Sequence, residues 1–240
     1  MSACKVMGIV NVTPDSFSDG GKYFTAEEAV RRARNMVAEG ADIVDIGGES
    51  TRPGATPVGW EEEWRRIGEV LKRLRDLPVP VSVDTYHPET AERAIALGAK
   101  MINCVYAEPV PRMLEIASGK DVELVVPAKC ADIVPDLSKV YLDPMIGFGT
   151  TREEDLELLA SVKELAGRAR VLVGASRKRI VKRMLGVKAS GKDLGGNLAI
   201  AIWCAMNGVS AIRVHDVGET VRALRVVDAL AGRRLDAPAE

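Results

Sequence analysis

Polar side chains recur at the carboxyl ends of short apolar runs along this chain. They are Asn11 in IVNVT, Asp45 in IVDIGG, Asp84 in VSVDT, Asn103 in MINC, Asp143 in YLDP, Ser176 with Arg177 and Lys178 in VGASRK, and Arg213 with His215 in IRVHD. Two kinds of chemistry separate within the series. The carboxylates and amides of Asp45, Asp84, Asn103 and Asp143 suit the mixed N–H and C=O edge of a flat heterocycle. Asn11, Lys178, Arg213 and His215, helped by helix amino termini, suit an oxyanion such as phosphate. Each residue alone has a plainer role: Asp84 or Ser176 could cap the helix that follows, and Asp216 is expected to cap the last one. Seven strand ends doing the same thing point instead to one shared cavity.

A parallel barrel would gather such ends on one face. The eight runs are Val6 to Val12, Ile43 to Ile46, Val79 to Val83, Met101 to Val105, Val122 to Val126, Val140 to Leu142, Val171 to Val173 and Ala211 to Val214, all short and rich in Val and Ile. Strands buried on both faces read this way. Between them the apolar period turns helical, with Ala29, Ala33, Met36 and Val37 on one face and Ile67, Leu71 and Leu74 on another. Thr25 with Glu28, Thr151 with Glu154 and Asp216 with Glu219 match the capping box, and Pro88 opens a further helix. After Val126 only Cys130 to Ser138 precedes the next strand, too little for a crossover helix. The 240 residues give about thirty per unit, so the expected fold is α/β, a single (β/α)₈ TIM barrel over residues 1–240 with its fifth helix shortened or missing.

Composition bounds the partners. Thirty-three basic and thirty-four acidic residues leave a formal charge of -1, with no cationic stripe for a nucleic acid. The longest apolar run, Leu198 to Met206, is half a membrane span, and Met1 to Lys5 has no signal-peptide pattern, so a cytoplasmic protein with neither partner is expected. Four scattered cysteines read as small buried hydrophobes. The absence of glutamine hints at a thermophilic source.

Two segments leaving the same face, Val12 to Lys22 and Gly47 to Thr56, are longer than connectors need to be and are expected to act as lids. Trp60 and Trp64, one turn apart, are read as packing within the chain rather than as an interface. His87 is read as a cap or a solvent-facing residue, and Lys182, Arg183 and Lys188 as a solvated face.

The strings GIVNVTPDSFSDGG, DIVDIGGESTRPG, SVDT, LDPMIGFG, SRK and RVHD, in this order over nearly the whole chain, resemble the dihydropteroate synthase family. The resemblance implies a (β/α)₈ barrel, usually a homodimer. It implies that 7,8-dihydropterin-6-ylmethyl diphosphate and 4-aminobenzoate, or a related arylamine, are joined with release of diphosphate. By motif, Asp84, Asn103, Asp143 and Lys178 would bind the pterin; Asn11, Arg213 and His215 the diphosphate, Asn11 also ligating Mg²⁺; and Thr51, Arg52, Pro53, Phe148, Ser176 and Lys178 the arylamine. Asp45 joins the ring-reading set. Asp84, Lys178 and Arg213 would carry the chemistry.

This chain departs from the family pattern at Cys104, where an acid is usual, and at Val126-Pro127-Ala128-Lys129, where Met-His is common. Met145 replaces a glycine, Thr150 a lysine and Arg179 a serine, and the stretch from Asn103 to Asp143 is short. Two other readings share the barrel: a pterin-dependent methyltransferase domain and a non-catalytic pterin-binding paralogue. Lys178, Arg213 and His215 argue for a held diphosphate and against both.

Overall fold

The computed structural model describes residues 4–13, 26–49, 56–186 and 193–232. Eight parallel strands close into a barrel in chain order: β1 (Lys5–Asn11), β2 (Ile43–Gly47), β3 (Val81–Asp84), β4 (Met101–Asn103), β5 (Glu123–Pro127), β6 (Val140–Asp143), β7 (Arg170–Val173) and β8 (Ala211–Val214), with β8 pairing back onto β1. The helices are α1 (Ala26–Ala38), α2 (Trp60–Arg73), α3 (Pro88–Ala96), α4 (Val110–Ala117), α5 (Arg152–Ala160), α6 (Val162–Ala166), α7 (Arg179–Leu185), α8 (Leu194–Met206) and α9 (Val217–Leu230). Between β5 and β6 only two 3₁₀ turns occur, Ala128–Ile133 and Leu137–Lys139, so the fifth helix is missing as the short spacing required.

The larger apolar core lies between strands and helices and includes Ala29, Ala33 and Met36 of α1 and Ile67 and Leu71 of α2. Inside the barrel a second cluster, Met7, Ile43, Met101, Val125, Tyr141, Leu172 and Ala211, fills the lower layer. Side chains on a strand repeat every two residues. The next inward residue above Ile43 is therefore Asp45, above Met101 Asn103, above Tyr141 Asp143 and above Ala211 Arg213. An apolar plug thus sets a polar layer directly over itself, at the end where barrel active sites lie.

Local signals were mostly realised. Thr151 and Glu154 form a reciprocal capping box at α5, and Pro88 occupies the first turn of α3. Asp216 does not cap α9 with its side chain; the Arg177 guanidinium takes that carboxylate instead. His87 holds the N-cap position of α3 as expected, but its side chain makes no cap bond and turns inward, its Nε2 3.0 Å from the Val58 carbonyl and 3.6 Å from Glu49. Trp60 and Trp64 pack within the chain, with the Arg93 guanidinium over both rings at 4.7 and 5.7 Å. Cys104, Cys130 and Cys204 are buried in the apolar core. The Thr25 box, Lys188, Thr51, Arg52, Pro53 and most of both expected lid segments lie outside the described residues.

Candidate active site

The ring-reading half stands together. Asp84 and Asn103 are paired neighbours on β3 and β4, level with Gly47 on β2. Asp45 is fully buried two residues deeper, and Asn103 Nδ2 donates to its Oδ2 at 3.2 Å. Pro127 pairs with Asp143, whose Oδ1 accepts the Met145 N–H at 2.7 Å. Asp45 Oδ1 and Asn103 Oδ1 are buried and have no hydrogen-bond partner among the described residues. A buried acceptor left unpaired costs about 1–3 kcal/mol, so such atoms mark where a ligand's donors belong. Gly47 keeps the floor open: a Cβ there would come within 3.5 Å of Asp84 Cβ and 3.6 Å of Asn11 Oδ1.

Arg213, read with the anion-binding set, is also joined to these acids. Its Nε donates to Asp45 Oδ2 and its Nη2 to Asp84 Oδ2, both at 2.6 Å. The cause is depth: Arg213 pairs with Met7, in the barrel interior four residues before Asn11 on β1, so its fork reaches the buried carboxylates. Burial and the neighbouring Asp45 nevertheless outweigh Arg213 and push Asp84 up to about 7. Burial likewise raises Asp143, whereas Lys178 and Arg213 act against that shift.

Lys178 stands on the opposite rim, at the amino end of α7. Its ammonium donates to the Ile146 carbonyl at 2.7 Å and lies 4.2 Å from the centre of the Phe148 ring. Burial lowers its pKa to about 8, with Asp143 resisting the change. Ser176 Oγ sits 3.1 Å from His215 Nδ1, which ties the β7 exit to the β8 exit. Asn11 ends β1, half-buried, beside Gly47. Asn11, Asp45, Asp84, Asn103, Asp143, Phe148, Ser176, Lys178, Arg213 and His215 all lie at this end of the barrel.

Several contributing residues were missed in the sequence. Glu63 is fully buried and accepts the Thr85 hydroxyl at 2.7 Å, which supports the turn directly after Asp84. Burial raises its pKa, with Glu49 adding to the shift and Thr90, Thr85 and His87 opposing it. Its sequence signal was present: it lies one turn before Ile67 on the apolar face of α2, but the run Glu61-Glu62-Glu63 reads as a solvated surface. Tyr86 donates its hydroxyl to Glu49 at 2.8 Å. Cys104, in place of an acid, is pushed up to about 12 by burial and stays a neutral thiol.

A family profile described as "Pterin binding enzyme" matches residues 7–136 and 128–215. The chain is 38% identical to the dihydropteroate synthase of Staphylococcus haemolyticus, covering 96% of both chains. It is 36% identical to that of Bacillus subtilis strain 168, covering 94% of this chain and 88% of the relative. Among solved structures it superposes on the Xanthomonas albilineans dihydropteroate synthase with 4-aminobenzoic acid at a TM-score of 0.87 and 39% identity, covering 95% of this chain and 94% of that one. The same enzyme in complex with 7,8-dihydropteroate matches at a TM-score of 0.85 and 36% identity, covering 98% and 95%.

Proposed function

The chain belongs to the pterin-binding enzymes, within the dihydropteroate synthases, and from that premise we propose how its own residues join 7,8-dihydropterin-6-ylmethyl diphosphate to 4-aminobenzoate or a related arylamine. The observation that carries this reading is the pairing, in one barrel mouth, of open acceptors on Asp45 and Asn103 with the half-buried cations Arg213 and Lys178. A pterin's aminopyrimidine edge offers donors to Asp84, Asn103 and Asp143 and accepts from Lys178.

In the reaction the arylamine nitrogen's lone pair forms a bond to the pterin methylene. The carbon–oxygen bond breaks, its electron pair leaves with diphosphate, and the spent ammonium proton passes to solvent. Negative charge grows on the leaving oxygens, where Arg213, His215 and Asn11 supply donors. Positive charge grows on the pterin, which Asp84 and Asp143 stabilise from a buried setting. An arylamine is neutral at pH 7, so no strong base is required. Phe148, Ser176 and Lys178 form the arylamine side, to which the family resemblance adds Thr51, Arg52 and Pro53, outside the described residues.

Mg²⁺ fits this donor set as an ion delivered with the diphosphate. Among the described residues no group of three or more His, Cys, Asp or Glu could hold a metal. The amide oxygen of Asn11 at the β1 exit would be one hard oxygen ligand for the ion. When bound, the ion would neutralise charge on the leaving group.

A homodimer is part of the proposal. It would use the neighbouring helices α7, α8 and α9, which expose Leu185, Trp203 (48%), Met206 (67%), Val226 and Leu230. No described helix is long and apolar enough to cross a membrane, which fits a cytoplasmic enzyme, and the amide-poor composition fits a thermophilic source.

The deciding test is inorganic diphosphate release from pterin diphosphate with Mg²⁺. Release that requires 4-aminobenzoate is the expected result. Pterin binding without release under any arylamine would make the chain a binding paralogue, and methyl transfer to a corrinoid carrier a methyltransferase domain.

A further inference from the structure

We propose that Asp155, on α5, is a positioning residue for Lys178, fixing the loop between β6 and α5 whose Ile146 carbonyl and Phe148 ring seat the ammonium group. The proposal rests on the reading of Lys178 as a substrate-binding residue and adds what holds it there.

Asp155 is 1% exposed, a carboxylate hidden in the first turn of a helix whose other early acids are solvated. Its Oδ1 accepts the Gly147 N–H at 2.7 Å and the Thr150 hydroxyl at 2.5 Å. The same Gly147 N–H also points to Thr150 Oγ1 at 3.0 Å, closing a three-membered polar knot. Charge-assisted bonds of this kind are about twice as strong as neutral ones. Thr150 stands where lysine is common in the family, and the knot gives that substitution a physical role: a short hydroxyl reaches Asp155.

The loop needs such an anchor. Met145, Gly147 and Gly149 adopt φ of +67°, +77° and +77°, and a left-handed methionine persists only where its surroundings over-determine it. Buried carboxylates bracket the segment, with Asp143 Oδ1 holding the Met145 N–H at its start and Asp155 holding Gly147 and Thr150 further on. Between them the backbone turns the Ile146 carbonyl onto Lys178 Nζ, and a Cβ on Gly147 would fall 3.0 Å from Lys178 Cδ. The Lys178 stem therefore lies on loop backbone that Asp155 fixes directly. Arg179 Nη2 donates to the Thr150 carbonyl at 3.0 Å, tying the same loop to the start of α7.

The charged groups facing Lys178 are Asp143 from β6, Asp84 from β3, Arg213 from β8 and Asp155 from α5. Asp155 thus acts on Lys178 both through the loop and through its charge, and the two effects separate by substitution. Asp155→Asn keeps an acceptor oxygen and removes the charge; Asp155→Ala removes both; Thr150→Val breaks one bond of the knot without touching the carboxylate.

The test measures the pH dependence of Lys178 acylation by an amine-reactive reagent, read on the Lys178 peptide by mass spectrometry, in the intact protein without turnover. The wild-type midpoint is expected near 8 and should fall in Asp155→Asn and Asp155→Ala. Steady-state rates should drop at least about 10-fold in Asp155→Ala, with weaker pterin binding by calorimetry, and recover in Asp155→Asn with a shifted alkaline limb. Thr150→Val should lie between wild type and Asp155→Ala. A folded Asp155→Asn with an unmoved labelling midpoint overturns the proposal, as does a Thr150→Val and Asp155→Asn pair that both match wild type in rate and pH profile. Should the wild type release no diphosphate, the reading of the reaction fails while the labelling result still judges Asp155.

Discussion

The Arg213 guanidinium lies 2.6 Å from Asp84, yet Asp84 holds its proton to about 7. A cation at hydrogen-bonding distance ordinarily pulls a carboxyl down by 1–3 units. Here burial and the Asp45 charge beside it win, because one guanidinium is shared between two acids. The barrel mouth is thus tuned so that a ring bringing its own donors meets an acid poised to ionise.

The first prediction follows from that sign. A donor edge binds the ionised form of Asp84, so pterin affinity should rise as pH goes from 5.5 to 7 and level off above it. The slope should approach tenfold per pH unit well below the midpoint. Calorimetric titrations across this range test it; a flat profile in wild type would contradict the assignment, and Asp84→Asn should flatten it and weaken binding. The ligand-free protein responds in the opposite direction. The unfolded chain ionises this group near pH 4 while the fold keeps the proton to about 7, so the unfolded state binds fewer protons between them and stability declines as pH rises through that window.

The second concerns turnover. Lys178→Ala and Arg213→Ala should each lower kcat by on the order of 10²-fold, the scale of losing one charge-stabilising donor. Because Lys178 titrates near 8 and Asp84 near 7, kcat/KM should describe a narrow bell with its maximum between those values and no plateau. Stopped assays from pH 5.5 to 9.5 would reveal it. Wild-type rates in either alanine variant would remove these residues from the mechanism.

The third isolates Asn11. If its amide oxygen holds the ion delivered with diphosphate, Asn11→Ala should raise the Mg²⁺ concentration for half-maximal rate by about 10-fold, and leave binding of a pterin lacking the diphosphate unchanged. Equal weakening of both would make Asn11 a ring contact instead.

How much of this was legible in the sequence depends on periodicity. Asp45, Asn103, Asp143 and Arg213 announced themselves because each lies two residues beyond an inward apolar side chain on a short strand. The missing fifth helix was equally plain, since chain length alone forbade it. What escaped was side-chain pairing across the barrel. Nothing local says that Arg213 reaches Asp45, 168 residues away, or that Arg177 takes the Asp216 carboxylate from its helix end. Glu63 and Asp155 were hidden for another reason: each sits inside an acidic run that reads as solvated surface, while helical spacing to Ile67 and Leu159 places it on the buried face.

The last prediction tests assembly. Leu185, Trp203, Met206, Val226 and Leu230 are exposed on the neighbouring helices α7, α8 and α9, which follow β7 and β8. Trp203 is half exposed while its indole N–H is satisfied by the Leu159 carbonyl at 2.8 Å, so its ring presents apolar surface with no polar demand left. A half-exposed tryptophan of this kind is suited to anchor an association. Sedimentation equilibrium should give twice the 25.8 kDa chain mass for the wild type. Met206→Glu would bury a charge against its own copy across a two-fold axis, a cost large enough to shift the equilibrium to monomer. A Met206→Glu protein that still sediments at the dimer mass would place the interface elsewhere, and a wild type that sediments at the single-chain mass would show that this face stays open to water.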